Sequence, residues 1–319
     1  MKTNAIIRII LLSLAILVLS GILLGALAFD TFSLHKNAQV EDVTTQVEMQ
    51  NISPDIHNIK IEWVAGTITL QIDQHARNIS VHEFSPVGSE YKMALKQSGQ
   101  TLKIQFDDRD FGTFSFNDNT YFKKDLLITV PKDWVCNSLE IDTAAAEIFL
   151  DEITIREFDF DGASGTCRIN NCDIGELDID TASGNVYFSG VLETLDCDAA
   201  SADCSIEAFN IPRSIKMDGL YGDLELILPP NAGFICDLDT MSGSFDSDFS
   251  FKTHDNTYVC GNGECKINVN GMSGAVSIFK GIDRGLSGNS IDCTNPNCID
   301  STHNHTVSKT SEHEHSIHH

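Results

Sequence analysis

Three sets of side chains in this 319-residue sequence could do chemistry. The first is a row of carboxylates. Asp142, Asp161, Asp180, Asp198, Asp218 and Asp239 each open a small-residue segment, as in Asp142-Thr-Ala-Ala-Ala, Asp161-Gly-Ala-Ser-Gly and Asp180-Thr-Ala-Ser-Gly. Asn270-Gly-Met-Ser-Gly is a seventh copy, and Glu62-Trp63-Val-Ala-Gly66 is a diverged early one. Such carboxylates can cap the amides of their own turns or hold calcium between copies. The calcium-binding nonapeptide Gly-Gly-x-Gly-x-Asp is absent, which favours capping.

The second set is the 10 cysteines. In an exported chain some would be oxidised. Cys197 and Cys204 are expected to face each other across one turn. Cys260 with Cys265, and Cys293 with Cys298, are local pairs with four residues between. At least one of these three pairs is expected to form a disulfide. Cys167, Cys197, Cys204 and Cys236 fall at apolar positions, where a thiol packs as a small hydrophobe.

The third set is the histidine-rich end: His303, His305, His313, His315, His318 and His319. Imidazoles at this spacing, near Cys293 and Cys298, suit zinc, nickel or copper. Zinc-finger spacing is not met, and the intervening Glu and Asn equally describe a solvated, pH-sensitive tail. No other cofactor is expected.

Catalytic motifs are missing. The chain has no GxSxG elbow, no HExxH helix, no phosphate-binding loop and no GxGxxG fingerprint. Gly162-Ala-Ser-Gly165 belongs to the repeat. A glycan-cleaving enzyme using outward Asp residues is the best enzymatic alternative. A unit of about 19 residues leaves little room for the loops that build such a cleft. Trp63 and Trp134 stand outside the periodic repeats, and most Phe fall at inward positions.

The carboxylates must be positioned by a repeat. The anchors recur at intervals of 19, 19, 18, 20, 21 and 31 residues. One and three residues before each anchor all fourteen positions are apolar, from Leu139 and Ile141 to Ile267 and Val269. Six and eight residues after it, thirteen of fourteen are apolar, from Ile148 and Leu150 to Val276 and Ile278. Such alternation means strands with one buried face. A unit this short cannot bury that face alone, so neighbours must stack. The fold class is therefore all-β: a repetitive parallel β-solenoid with about 19 residues per coil, preceded by a transmembrane helix. A β-sandwich of successive hairpins is the alternative. Seven coils at about 4.8 Å each make a rod of roughly 34 Å. The interval of 31 residues implies an insertion around Cys260–Cys265.

Residues 139–280 form this repeat. Residues 51–138 are β-rich without the period and are expected to cap or begin the same stack. Residues 30–50 read as a stalk and 281–319 as a disordered tail. Residues 1–29 hold an uncharged run, Ile9–Phe29, behind Lys2 and Arg8. It is long enough to span a bilayer and leaves the body outside the cytoplasm. Cleavage near Ala28, giving a secreted chain, is the alternative.

The Asp-Thr-Ala-Ser-Gly repeat, the opening segment Ile61-Glu-Trp-Val-Ala-Gly-Thr-Ile and the segment Asp125-Leu-Leu-Ile-Thr-Val-Pro-Lys together resemble the bacterial "putative adhesin" family. The resemblance covers about 55–280. It implies a repetitive β-solenoid of the cell envelope, and adhesion by name only. It supplies no catalytic residues.

The net charge is −25, with 46 acidic against 21 basic residues. A surface this acidic excludes electrostatic binding of nucleic acid. These features point to a non-catalytic envelope protein presenting an acidic surface to a protein or glycan outside the cell. The alternatives are an envelope-stress or signalling accessory acting through its membrane anchor, and metal capture by the tail.

Overall fold

The computed structural model describes residues 45–86, 92–107 and 123–282. The apolar run Ile9–Phe29, Cys293, Cys298 and the six tail histidines lie outside the described residues. Among the described residues no helix is long and apolar enough to cross a membrane.

The described chain is all-β. Its strands are β1 (Thr45–Ile52), β2 (Asn58–Asp73), β3 (Ile79–Pro86), β4 (Ala94–Ser98), β5 (Thr101–Gln105), β6 (Asp125–Pro131) and β7 (Val135–Asp151). They continue as β8 (Thr154–Ala208), β9 (Ser214–Tyr221), β10 (Leu224–Leu228), β11 (Phe234–Ser247), β12 (Lys252–His254), β13 (Thr257–Cys260) and β14 (Cys265–Lys280). β8 runs 55 residues without a break in the ladder. The small-residue corners are tight enough to stay in register with their neighbours.

Pairing between coils is parallel. Asp142 pairs with Asp161, Ala146 with Gly165 and Ile148 with Cys167. Asp198 pairs with Asp218. The anchors thus form one column, as the spacing required. The core lies between the two walls of each coil. Ile141, Ile148, Ile179, Ile206 and Leu226 are all fully enclosed there.

Small residues at the corners have a steric cause. Gly165 has φ +146°, a conformation that side chains disfavour. A Cβ there would sit 2.2 Å from the carbonyl oxygen of Ala146 on the coil beneath. A second corner is set by Glu152 and Asn171, both at positive φ, with Gly190 next in the series.

The N-terminal part extends the same stack. β2 pairs with β7 so that Glu62 lies beside Asp142, which makes Glu62 a true anchor. β5 and β6 pair with the two halves of β2 and supply a further coil. Antiparallel strands then cover this end: β4 on β5, β3 on β6 and β1 on β3. Residues 45–50, expected as stalk, are thus part of a strand, because the β3 edge takes them as its partner.

Trp63 and Lys124 close this end. The Trp63 indole donates to the Lys124 carbonyl at 2.8 Å. The Lys124 ammonium lies 3.3 Å from Glu83 with both side chains enclosed, donates to the Phe106 carbonyl, and sits 4.0 Å from the Phe106 ring centre. A charge this buried is tolerable only when paired and hydrogen-bonded. Trp134, at the junction before the repeats, donates its indole N–H to Ile56 O at 2.6 Å.

The C-terminal end departs from sequence order. β14 pairs with β9 and β10 on one side and with β11 on the other. The last strand therefore enters between two earlier coils, and the coil of Asp239 is outermost. The 31-residue interval is the excursion that permits this. Its strand β13 adds antiparallel to the start of β11, and β12 adds antiparallel to β13. Phe245 stacks on Tyr258 at 3.8 Å and meets Phe251 edge-on at 5.1 Å, which covers the end of the core.

Candidate functional site

Each coil sends two outward side chains from its first strand. One is the anchor, and the other lies two residues earlier, between the two apolar positions. The anchor column reads Gln105, Glu62, Asp142, Asp161, Asp180, Asp198, Asp218, Asn270, Asp239. The second column reads Lys103, Lys60, Glu140, Asp159, Asp178, Asp196, Lys216, Asn268, Asp237. Together they make a two-rail ladder of carboxylates along one wall.

Lysines close the ladder at both ends. Lys216 Nζ lies 2.7 Å from Asp196, 3.4 Å from Asp198 and 3.0 Å from Asp218. Lys60 bonds Glu140 and lies 3.2 Å from Asp142. Lys103 lies 2.6 Å from Glu62. Partial burial opposes the charge on Lys216, but its bonds to Asp196 and Asp218 outweigh this and hold its pKa above the usual value. Lys60 is raised in the same way, with burial opposed by Glu140 and Asp142.

The four carboxylates between these clamps are different. Among the described residues Asp159, Asp161, Asp178 and Asp180 form no ion pair, since the clamping lysines pair with the carboxylates beyond them. All four side chains reach solvent, but partial burial against the wall first, then repulsion by neighbouring carboxylates, raises them. Asp180 is pushed up to about 6, by burial and then by Asp161 and Asp198. Asp198 also stays raised despite Lys216, through burial and the charges of Asp196 and Asp218.

The anchors do not cap their own turns as expected. Asp142, Asp198 and Asp218 bond lysine, and Asp218 also accepts from Asn270 at 2.6 Å. Carboxylates on the far side of the corner take the backbone amides instead. Asp125 accepts from Thr67 N–H at 2.8 Å, Asp203 from Asp223 N–H at 3.0 Å and Asp223 from Ala275 N–H at 2.7 Å. Among the described residues no group of three or more His, Cys, Asp or Glu converges as a metal site. The ladder spreads its oxygens along a flat wall.

The thiols divide clearly. Cys197 and Cys204 face each other with sulfurs 3.7 Å apart. Cys260 and Cys265 both neighbour Phe234 but on its opposite sides, across β13 and β14. Two strand spacings, about 10 Å, separate them, too far for a disulfide. Of the three candidate pairs this one is thus ruled out, because β11 runs between the two cysteines. Cys167 and Cys236 are buried, as their apolar positions required.

The second rail was legible but overlooked. Lys60, Glu140, Asp159, Asp178, Asp196 and Lys216 all stand two residues before an anchor. On the opposite wall Arg168 lies between two rings, 5.7 Å from Phe149 and 5.1 Å from Tyr187. That aromatic stack is already filled by the chain's own guanidinium.

These stacked repeats define an all-β protein of parallel coils with an acidic wall. The family profile described as Toastrack DUF4097 matches residues 49–279, and the chain belongs to that family. No curated protein matches the chain. Among solved structures it is similar to a "putative cell adhesion protein" from Clostridium sporogenes, at 14% identity and TM-score 0.36, over 75% of this chain and 100% of that one. A "putative adhesin" from Bacteroides fragilis is 15% identical, with TM-score 0.36, over 73% and 97%. A "putative lipid binding protein" from Parabacteroides distasonis is 12% identical, with TM-score 0.27, over 76% and 98%.

Proposed function

We propose that this is a non-catalytic protein of the cell surface or envelope whose acidic ladder docks a lysine-bearing protein segment. One observation carries the reading. Lys216 sits among three carboxylates drawn from adjacent coils. The coils below repeat that arrangement at Asp159, Asp161, Asp178 and Asp180 without a lysine of their own. An incoming ammonium group on a partner would find the same oxygens at the same spacing and would relieve the repulsion that raises these carboxyls. A protein ligand is favoured over a glycan because the ring stack on the other wall is occupied by Arg168.

The test is titration of full-length protein with a hexalysine peptide, with calcium alone in a parallel arm. Binding should weaken steeply as salt rises. A variant with Asp159, Asp161, Asp178 and Asp180 all changed to Asn should lose most of the affinity. Unchanged binding by that variant would sink the reading, and binding of calcium but not hexalysine would replace it with a cation site.

A further inference from the structure

We infer that Cys197 and Cys204 are joined by a disulfide that clips the two walls of one coil, and that the bond is made before the coil closes. This inference is independent of what the ladder binds.

The pair is singular among the coils. Cys197 precedes the anchor Asp198 by one residue, and Cys204 follows it by six. The same two positions hold Ile141 and Ile148, Phe160 and Cys167, Ile179 and Val186, Met217 and Leu224, Leu238 and Phe245, and Val269 and Val276. Every other coil fills this space with at least one apolar side chain bulkier than a thiol. Here alone two thiols meet, with sulfurs 3.7 Å apart, and the corner beside them carries Ala199 and Ala202, both buried. The structure holds both as thiols, and a disulfide requires their sulfurs to close from 3.7 Å to about 2.05 Å.

The chemistry balances with an external oxidant. The two thiols give up two hydrogens and two electrons as the sulfur–sulfur bond forms. An oxidised carrier, glutathione disulfide or an exported thiol oxidase, accepts them and leaves as two thiols through a mixed disulfide. That intermediate needs access to one sulfur. In the closed coil Cys197 is 0% exposed and Cys204 2% exposed. The attacking species must also be a thiolate. The contact with Cys204, and then burial, push the Cys197 thiol far above its usual value. The folded pair therefore neither reacts readily with an oxidant nor, once bonded, with a reductant. Cys197 lies between Asp196 and Asp198, so the clip also fixes two of the carboxylates that hold Lys216.

The experiment compares two routes to oxidation of the full-length protein. One sample is reduced and unfolded in guanidinium, then refolded in glutathione buffer. The other is folded reduced and then placed in the same buffer. Free thiols are alkylated and the digest is mapped without reduction. The refolded sample should yield a Cys197–Cys204 linked peptide, lighter by two hydrogens than its reduced form. The prefolded sample should keep both thiols over the same time. The bond should resist dithiothreitol at least tenfold longer in native protein than in guanidinium. Cys204→Ser should abolish the linked peptide and leave Cys197 alkylatable. Alkylation of both cysteines after refolding, or a bridge from Cys197 to a different cysteine, overturns the bond. Equally fast oxidation in both samples overturns its timing.

Discussion

Asn270 donates to the carboxylate of Asp218 at 2.6 Å across 52 residues of sequence. In an ordered stack Asp239 would hold that place. Because β14 enters between β10 and β11, a neutral amide separates Asp218 from Asp239, and the run of anchor carboxylates is interrupted there. The exchange of coils thus places a hydrogen bond where two like charges would otherwise be neighbours.

The strand order makes a truncation informative. Ending the chain at Ser250 removes β12, β13 and β14. In a sequential stack this would cost only the outermost coil. Here it strips both partners from β11, so residues 234–247 should lose their amide protection as well. The denaturant slope should fall by the surface of two coils, since that slope follows the area exposed on unfolding. Persistent protection of 234–247 in the truncated chain would refute the intercalated order.

Lys216 should matter more than an ordinary surface lysine. Exposed ion pairs contribute about 0–1 kcal/mol each. Lys216 serves three carboxylates at once and is about one-third exposed. Lys216→Met keeps the aliphatic stem and leaves Asp196, Asp198 and Asp218 to repel one another. A loss of about 1–2 kcal/mol is expected. It should shrink in 1 M salt, where screening shortens the range of repulsion. A salt-independent loss would point to packing instead.

Much of this architecture is written in the period of the chain. The apolar positions around Ile141 and Ile148 announced a buried face, and equal spacing announced stacking. Spacing alone does not say which coil stacks on which, because every coil offers the same register to any other. Only the three-dimensional competition for the edge of β10 decides that Val276, rather than Phe245, lies beside Leu224. Glu62 was legible as an anchor, and the lysine clamps were legible in spacing though not in their pairing. Lys60 and Lys216 become conspicuous only once the position two residues before each anchor is read as a column of its own. Cys260 and Cys265 looked adjacent in sequence because nothing there reveals that β11 passes between them.

Gly165 is a stringent test of the corner. Its φ of +146° and the 2.2 Å approach of a built Cβ to Ala146 O leave no room for alanine. Gly165→Ala should destabilise by about 2–4 kcal/mol, combining backbone strain with a forced separation of two coils. Thermal unfolding would show it. A change within 0.5 kcal/mol, the usual range for an innocuous surface substitution, would mean the corner is not as tightly stacked as described.

Stability should rise on mild acidification, against the habit of most carboxylate-rich surfaces. A carboxyl whose folded pKa exceeds its unfolded value keeps its proton in the folded state after the unfolded chain has released it. Asp180 moves from an ordinary 3.8 to about 6, and Asp159, Asp161, Asp178 and Asp198 shift in the same direction. Between about pH 4 and pH 6 the folded protein therefore binds more protons than the unfolded chain, and linkage makes stability fall as pH rises through that window. The contribution is fully present below the unfolded value and absent above the folded one. Asp180 is exposed, so solvent and salt screen much of this, and Asp180→Asn should gain only about 0.5–1 kcal/mol at pH 7. The same substitution should gain little at pH 4, where the native carboxyl already carries a proton. Glu62 runs the other way. Burial opposes its charge, but the bonds from Lys103 and Gln105 lower its pKa, so its stabilisation is lost as pH falls. Melting temperatures of the wild type and of Asp180→Asn across pH 4–8 should therefore converge at the acidic end. Curves that stay parallel over the whole range would mean that Asp180 carries no strain from its neighbours.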